Sequence, residues 1–242
     1  MDALRDKAIP LYEKEASKYL RNPWEARNNY IDVILNRDSK NIENFFKNYT
    51  NKDLSKEEKT KVLKLLEMQR NAMLMFTSCA WFFDELSGIE TTQIIQYAAR
   101  TIQLVQELFS ISIEQEYKQI LEKAPSNIPE FKNGAKIYDM FIKPAIIDML
   151  RVGAHYAISS LFEEYPKTAE IFCYNADSET YHKIELGKVS LAIGKAKIKS
   201  NITWDEDTIS FAVLHHGIHN INGGVRNFID DKAFNQMRKE IK

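Results

Sequence analysis

The sequence predicts an α+β fold in which an N-terminal helical bundle is followed by a small antiparallel β-sheet and a terminal helix. Up to about residue 165, apolar residues recur at the three- and four-residue spacing of buried helix faces. After residue 167 the period changes to two, as in half-buried strands. We therefore predict a bundle over residues 1–166, a sheet packed on that bundle over 167–230, and the start of a truncated terminal helix over 231–242.

Apolar spacing and capping residues predict the helices of the bundle. Pro144 interrupts the last of them and should kink or divide it. Capping signals stand at three helix starts, namely Asn22 before Pro23 and the pairs Ser55/Glu58 and Ser112/Gln115. The predicted helices cover residues 3–21, 22–35, 39–49, 55–81, 90–109, 112–124 and 134–165.

Five short segments after residue 167 alternate between apolar and polar residues and are predicted to be strands. Glycine-lysine pairs at 187–188 and 194–195 favour tight turns, so the strands should form an antiparallel meander. Lys195, Lys197 and Lys199 stand at alternate positions and indicate a solvated strand face. The predicted strands cover residues 169–174, 180–186, 188–193, 196–202 and 208–214.

Charge, hydropathy and cysteine content exclude several classes of protein. Of the 242 residues, 33 are basic and 34 are acidic, so nothing favours binding to nucleic acid or to an anionic membrane. No apolar run approaches the ~20 residues of a membrane-spanning helix, and the N-terminus lacks the apolar region of a signal peptide. Because Cys79 and Cys173 make no disulfide framework, we expect a cytoplasmic protein.

The first candidate site lies where the long helix to residue 81 meets the next helix. On a continuous helix, Trp81, Asp84 and Glu85 would share one face, and Glu90 follows closely. A sugar-binding cleft needs such a pairing, because an aromatic ring stacks on the sugar while carboxylates accept hydrogen bonds from its hydroxyl groups. The alternative is a buried helix end, with the aromatic residues in the core and Glu90 complementing the helix dipole.

The second candidate site is the segment 214–226, which is rich in histidine, asparagine and glycine. Its composition suits a loop that hydrogen-bonds a polar ligand, and a glycine-rich turn with local capping is the alternative. The glycines argue against the helix on which His215 and His219 could share a metal ion, so neither a metal nor a cofactor is predicted. His155 is a further candidate, although its apolar surroundings favour a core histidine. The polar candidates in the segment are His215, His216, His219, Asn220 and Arg226.

Several long motifs resemble one protein family. They include Thr-Ser-Cys-Ala-Trp-Phe-Phe-Asp-Glu-Leu-Ser-Gly-Ile-Glu and Val-Gly-Ala-His-Tyr-Ala-Ile-Ser-Ser-Leu-Phe-Glu-Glu-Tyr-Pro, and they lie at residues 23–35, 65–70, 77–90, 152–166 and 215–220. Over nearly its whole length the chain resembles the domain of unknown function 3536, which is found C-terminal to catalytic domains similar to glycoside hydrolase family 57. One departure is Ile218, because the family pattern there usually reads Gly-Asp-His-Asn and has an acid.

The resemblance implies a division of labour within a larger enzyme. The catalytic glutamate and aspartate of a family 57-like enzyme would belong to a barrel domain that precedes this chain. In that clan, a helical domain closes over the sugar cleft and brings a Ser-Asp-Trp-Phe-Trp-Trp-like helix near the active site. Residues 78–84 are similar in character, with Ala80 in place of the acid, so Asp84 and Glu85 are the carboxylates left for that work.

We therefore expect an accessory domain that helps a family 57-like enzyme bind an α-glucan-like carbohydrate. It would have no catalytic residue of its own, the preceding barrel would be its partner, and the two candidate sites would converge on one open cleft. One alternative is a self-contained hydrolase using Asp84, Glu85 or Glu90, and another is an interaction domain without a ligand. The predicted substrate-binding residues are Trp81, Asp84, Glu85, Glu90, His155, His215, His216, His219, Asn220 and Arg226.

Overall fold

Helices come first along the chain and strands follow, which confirms the predicted α+β class. A computed structural model describes residues 1–241, and the chain divides into two compact units, Met1–Ile146 and Ile147–Lys242. The division differs from the predicted boundary near residue 166. It groups the helix Met149–Ser159 with the sheet that follows.

The first unit is helical, and its two longest helices pack against each other and contain buried leucine and isoleucine side chains. One turn of π-helix covers Tyr138–Ile142, and short 3₁₀ turns cover Ser78–Trp81 and Lys143–Ala145. The α-helices are α1 (Asp2–Ala16), α2 (Pro23–Asn29), α3 (Ile31–Leu35), α4 (Ser39–Tyr49), α5 (Lys56–Leu74), α6 (Ile89–Phe109), α7 (Glu114–Leu121) and α8 (Gly134–Ile137).

Two of the three predicted capping signals are confirmed. The Asn22 side chain accepts a hydrogen bond of 3.2 Å from the amide of Glu25, and Ser55 and Glu58 form a reciprocal capping box. The signal at residues 112 and 115 is wrong. The buried Ile113 takes the N-cap position, and because its side chain has no acceptor, α7 begins at Glu114 without a side-chain cap.

The helix predicted to reach residue 81 ends at Leu74 instead. The carbonyl of Leu74 accepts hydrogen bonds from the Thr77 hydroxyl at 2.7 Å and from the Thr77 amide at 3.2 Å. These local bonds occupy a carbonyl that the next helical turn would have used, and Thr77 adopts an extended conformation with ψ of 134°. The chain then leaves the helix axis.

Pro144 divides the helical stretch predicted over 134–165, as expected. The chain passes from α8 through the π and 3₁₀ turns and becomes extended at Ile146. A new helix, α9 (Met149–Ser159), begins after Asp148, whose side chain accepts a 2.8 Å hydrogen bond from the amide of Arg151. This helix belongs to the second unit.

The second unit is a five-stranded antiparallel meander with one helix on each face of the sheet. From α9, Tyr156 packs on a face that carries Ile209 and Phe211. The terminal helix packs Phe234 on the opposite face, against Ile193 and Ala212. The elements, in sheet order, are β1 (Thr168–Ile171), β2 (Tyr174–Leu186), β3 (Val189–Ser200), β4 (Glu206–His215) and β5 (Ile221–Asn227), followed by α10 (Asp231–Ile241).

One of the two predicted glycine turns is confirmed and the other is wrong. Gly187 joins β2 to β3 with a left-handed φ of 60°. Gly194 instead lies inside β3, paired with Phe211. A Cβ atom at this position would lie 2.4 Å from Cζ of Phe211 and 2.8 Å from the carbonyl oxygen of Thr180. Glycine is therefore required by close packing, and the two segments predicted around it form one continuous strand.

Candidate functional site

Residues 78–88, here called the aromatic loop, expose three consecutive aromatic side chains. Trp81 is 65% exposed, Phe82 82% and Phe83 55%, and the two phenylalanine rings meet edge to face at 5.1 Å. The alternative interpretation, a buried helix end with these aromatic residues in the core, is therefore wrong, because α5 stops before it. Exposed aromatic side chains in sequence contribute little to a core, so the packing of the domain does not account for them.

Glu85 fixes the aromatic loop to a second loop of the same unit. Its carboxylate accepts hydrogen bonds from the Ser126 hydroxyl at 2.7 Å, the Asn127 amide at 2.7 Å and the Ser87 amide at 2.9 Å. The Asn127 side chain in turn donates to the Asp84 carbonyl at 2.7 Å. Desolvation opposes ionisation of Glu85, but the bonds from Ser126, Ser87 and Asn127 outweigh it and lower its pKa to about 2. Glu85 is thus an ionised anchor.

The predicted helix face shared by Trp81, Asp84 and Glu85 does not exist. Trp81 ends a short 3₁₀ turn, and the next α-helix begins only at Ile89. Asp84 is exposed, whereas both carboxylate oxygens of Glu85 accept internal hydrogen bonds. Glu90 lies in the first turn of α6, where its charge complements the helix dipole. Of these acids, Asp84 is the one displayed beside the exposed rings.

A buried carboxylate that sequence reasoning did not single out connects two of the family-like motifs. Glu67 on α5 is 3% exposed and accepts hydrogen bonds from the Tyr30 hydroxyl at 2.8 Å and from Arg37 at 2.7 Å. Arg70 donates to its second oxygen at 3.1 Å. Because the charge is paired and its oxygens are satisfied, this cluster is structural and joins residues 23–35 to 65–70. The position of Glu67 within the apolar pattern of α5 was the feature of the sequence that could have indicated a buried carboxylate.

The segment predicted as a polar binding loop is a hairpin followed by a strand. The His216 amide donates to the Asn220 carbonyl at 2.9 Å, which closes a turn over residues 216–220 between β4 and β5. Nε2 of His215 lies 3.4 Å from the Ile218 carbonyl, and Nε2 of His216 lies 3.3 Å from the Asn222 amide nitrogen. His219 is exposed at the turn. The turn alternative is therefore the better description of residues 216–220.

The structure distributes the remaining candidates of the second unit over different elements. His155 is exposed on α9, with its ring 5.4 Å from that of Phe172, so it is not the core histidine that its neighbours favoured. Arg226 lies on β5 and donates to the Ala233 carbonyl of α10 at 3.3 Å. The four candidates at 215, 216, 219 and 220 share the hairpin. Convergence of the aromatic loop with this segment concerns two different units and stays a prediction.

Strand β5 was missed because its glycines suggested a loop. Ile221, Gly223 and Val225 alternate with Asn222 and Arg226, so the period of two was present in the sequence. Gly223 is explained by the pairing of β5 with β4. A Cβ atom at 223 would lie 2.4 Å from a methyl carbon of the valine at 213.

Two grooves flank β5, one on each face of the sheet. The groove beside α10 has a volume of about 580 Å³, and Arg226 is the predicted site residue in its lining. The groove beside α9 has a volume of about 390 Å³. Within residues 1–241, no three histidine, cysteine or acidic side chains are grouped as a metal ion would need, and no helix there has the length and apolar character to cross a membrane.

A family model described as a domain of unknown function, DUF3536, matches residues 1–242. The chain belongs to this family. No curated protein matches the chain, and no solved structure matches it either. The chemically distinctive features of this DUF3536 domain are the aromatic loop of the first unit and the grooves beside β5.

Proposed function

We propose that the aromatic loop binds an α-glucan-like carbohydrate and that the domain is an accessory part of a family 57-like glycoside hydrolase. The observation that carries the proposal is the exposure of Trp81, Phe82 and Phe83 on a loop that Glu85 fixes. Sugar rings present C–H faces that stack on aromatic planes, and a fixed loop loses little conformational entropy on binding.

The chemistry around the loop favours binding over catalysis. Hydrolysis of a glycosidic bond requires two carboxyl groups facing each other across it, one of which is able to donate a proton. Glu85 has a pKa of about 2 and its oxygens are occupied, so it cannot serve as the acid. The exposed acid of the aromatic loop, Asp84, can accept hydrogen bonds from sugar hydroxyl groups. Catalytic carboxylates would then come from the barrel domain that the resemblance implies.

Affinity electrophoresis of the chain through gels containing glycogen or amylose tests the proposal. We expect retardation of the wild type, with a Kd on the order of 1 mM for maltoheptaose because one loop supplies only part of a cleft. Trp81→Ala should abolish the retardation. Leu35→Ala is the matched control. Leu35 is 78% exposed on a helix of the same unit, and its replacement should leave the retardation unchanged.

Two results would contradict the proposal. One is equal mobility of wild type and Trp81→Ala in every glucan gel. The other is hydrolysis of maltoheptaose by the chain alone that Asp84→Asn abolishes, because the domain would then be a self-contained hydrolase.

A further inference from the structure

The sheet of the second unit ends at β5, and this edge lacks the usual protection against pairing. Natural edge strands are short, bulged, or carry lysine or proline, because an exposed edge offers unpaired backbone groups to other chains. The opposite edge follows this rule, since β1 has four residues, exposes Glu170 and follows Pro166 and Lys167. Strand β5 has seven residues, and its one charged residue, Arg226, is near its end and is hydrogen-bonded to α10, so the stretch 221–225 contains none of these features.

Gly224 has no explanation within the domain itself. Its φ lies outside the left-handed region, and a Cβ atom built on it would meet nothing within 4 Å. Glycine weakens a strand because it provides no side chain to pack and increases the freedom of the unfolded chain. Gly223 is different, because a Cβ there would collide with β4. A glycine that the fold does not need often marks a place where another chain approaches closely.

Gly224 opens onto the larger of the two grooves. It pairs with Ala212 of β4, and together these small residues leave the space beneath α10 that is about 580 Å³ in volume. Apolar side chains line this groove from both sides, with Leu191 and Ala212 on the sheet and Met237 on α10. The groove on the other face is likewise lined by apolar residues of α9, namely Leu150, Ala154 and Ile158.

The charged groups beside the grooves favour an uncharged occupant. The larger groove contains one acid and one base, Glu240 and Arg226, and the smaller contains Asp148 and Arg151, so neither has a net formal charge. Arg226 already donates to a carbonyl of α10, and Gln236 already donates to Glu240 at 2.6 Å. These groups are committed within the domain, which leaves apolar surface as the main attraction for a ligand.

We propose that β5 binds an extended segment of a partner protein, which joins the sheet as an additional strand. Backbone hydrogen bonds along the β5 edge would supply the part of the affinity that does not depend on the sequence of the partner segment. Side chains of an added strand point alternately to the two faces of the sheet, so bulky apolar residues two positions apart would enter the groove beside α10, and those between them the groove beside α9. The proposal does not depend on sugar binding by the first unit.

A second copy of this chain fits the edge less well than a partner segment. Two β5 strands pairing antiparallel around their centres would bring Gly223 and Gly224 of each copy to the middle of the interface. Glycines fill neither groove, so about 580 and 390 Å³ would stay without side chains at the centre of the contact. A partner with large apolar side chains would fill both.

The test uses the whole chain and a fluorescein-labelled peptide of seven alternating leucine and valine residues with a lysine at each end for solubility, which matches the length of β5 and presents apolar side chains to both grooves. Fluorescence polarisation measures its binding to wild type, to Gly224→Val and to Thr168→Val on the protected edge strand β1. The valine at 224 has open space, so we expect the fold to be kept, as circular dichroism will show, while its side chain enters the groove beside α10. Peptide binding should weaken about tenfold or more in Gly224→Val and stay unchanged in Thr168→Val.

Two further peptides, methylated on alternate backbone amides, test the mode of binding. Only one edge of a bound strand faces β5, so methylation of one set of amides should abolish binding and methylation of the other should not. Equal binding of both peptides overturns the proposal, as does unchanged binding to Gly224→Val or a lack of wild-type binding at about 1 mM. A stable dimer that Gly224→Val dissociates also overturns it, because a second copy would then occupy the edge.

Discussion

Replacement of Gly153 by alanine should destabilise the second unit, and shortening Ile209 should remove the effect. A Cβ atom at 153 would lie 2.5 Å from Cδ1 of Ile209, and Ile209 is fully buried between α9 and the sheet. Overpacking of this kind costs about 1–3 kcal/mol, whereas alanine in a helix gains about 1 kcal/mol over glycine. We therefore expect Gly153→Ala to lower the free energy of unfolding by about 1 kcal/mol.

The double variant separates a steric clash from a general loss of stability. Ile209→Val deletes Cδ1 and leaves the nearest carbons at 3.4 and 3.5 Å from the new methyl group, which is ordinary contact. Alone, this change should cost about 1 kcal/mol. Combined with Gly153→Ala, it should restore nearly the wild-type value, because the clash disappears and the helix gain remains. The coupling energy should then be about 1–3 kcal/mol.

Native-state hydrogen exchange of the β4 amides measures this coupling, because it reports on the second unit whatever the first unit does. Ile198→Val serves as the control. Ile198 is also fully buried in the same core but is absent from the nearest neighbours of a Cβ at 153, so its effect should add to that of Gly153→Ala. Coupling below about 0.5 kcal/mol between Gly153→Ala and Ile209→Val would refute the reasoning.

Two other predictions concern the hairpin and the aromatic loop. Ile218 is 85% exposed with a left-handed φ of 57°, a conformation that asparagine tolerates better than a β-branched residue. Ile218→Asn should therefore raise the free energy of urea unfolding by about 1 kcal/mol. The control Ile229→Asn should leave it unchanged, and equal effects of the two changes would contradict the strain argument. Because the pKa of Glu85 is lowered from 4.5 to about 2, the stabilisation it provides is complete above pH 4.5 and is lost as the pH falls towards 2. The NMR signal of the Asn127 amide should titrate near pH 2 in wild type and not in Glu85→Gln, and a midpoint near 4.5 would count against the anchor.

Order and type of most elements followed from local patterns, but the ends of elements often did not. Ser55 and Glu58 predicted the start of α5 correctly, because the hydrogen bonds of a capping box form within one helical turn. The end of α5 depended on Thr77 bonding back to Leu74, and no apolar period reveals such a choice. For that reason the aromatic residues beyond it were expected on a helix and lie on an exposed loop.

The glycines of the second unit show the same limit. Gly187 makes a turn, whereas Gly194 and Gly223 give room to Phe211 and Val213 of the neighbouring strand. The sequence does not distinguish a glycine that is needed for its φ angle from one that is needed because it has no Cβ atom. For this reason the sequence analysis did not predict the strand β5 or the unprotected edge that it forms.

By itself the sequence determined the α+β class, the change from helices to strands near residue 167, and the two chemically distinctive stretches around Trp81 and His215. These depend on periodicity and composition, which act over one or two turns of chain. Only the tertiary structure decided that the rings near Trp81 face solvent, that Glu85 is held by a loop some forty residues away, and that Gly224 opens a groove. Contacts between segments distant along the chain set these features, and no local pattern encodes them.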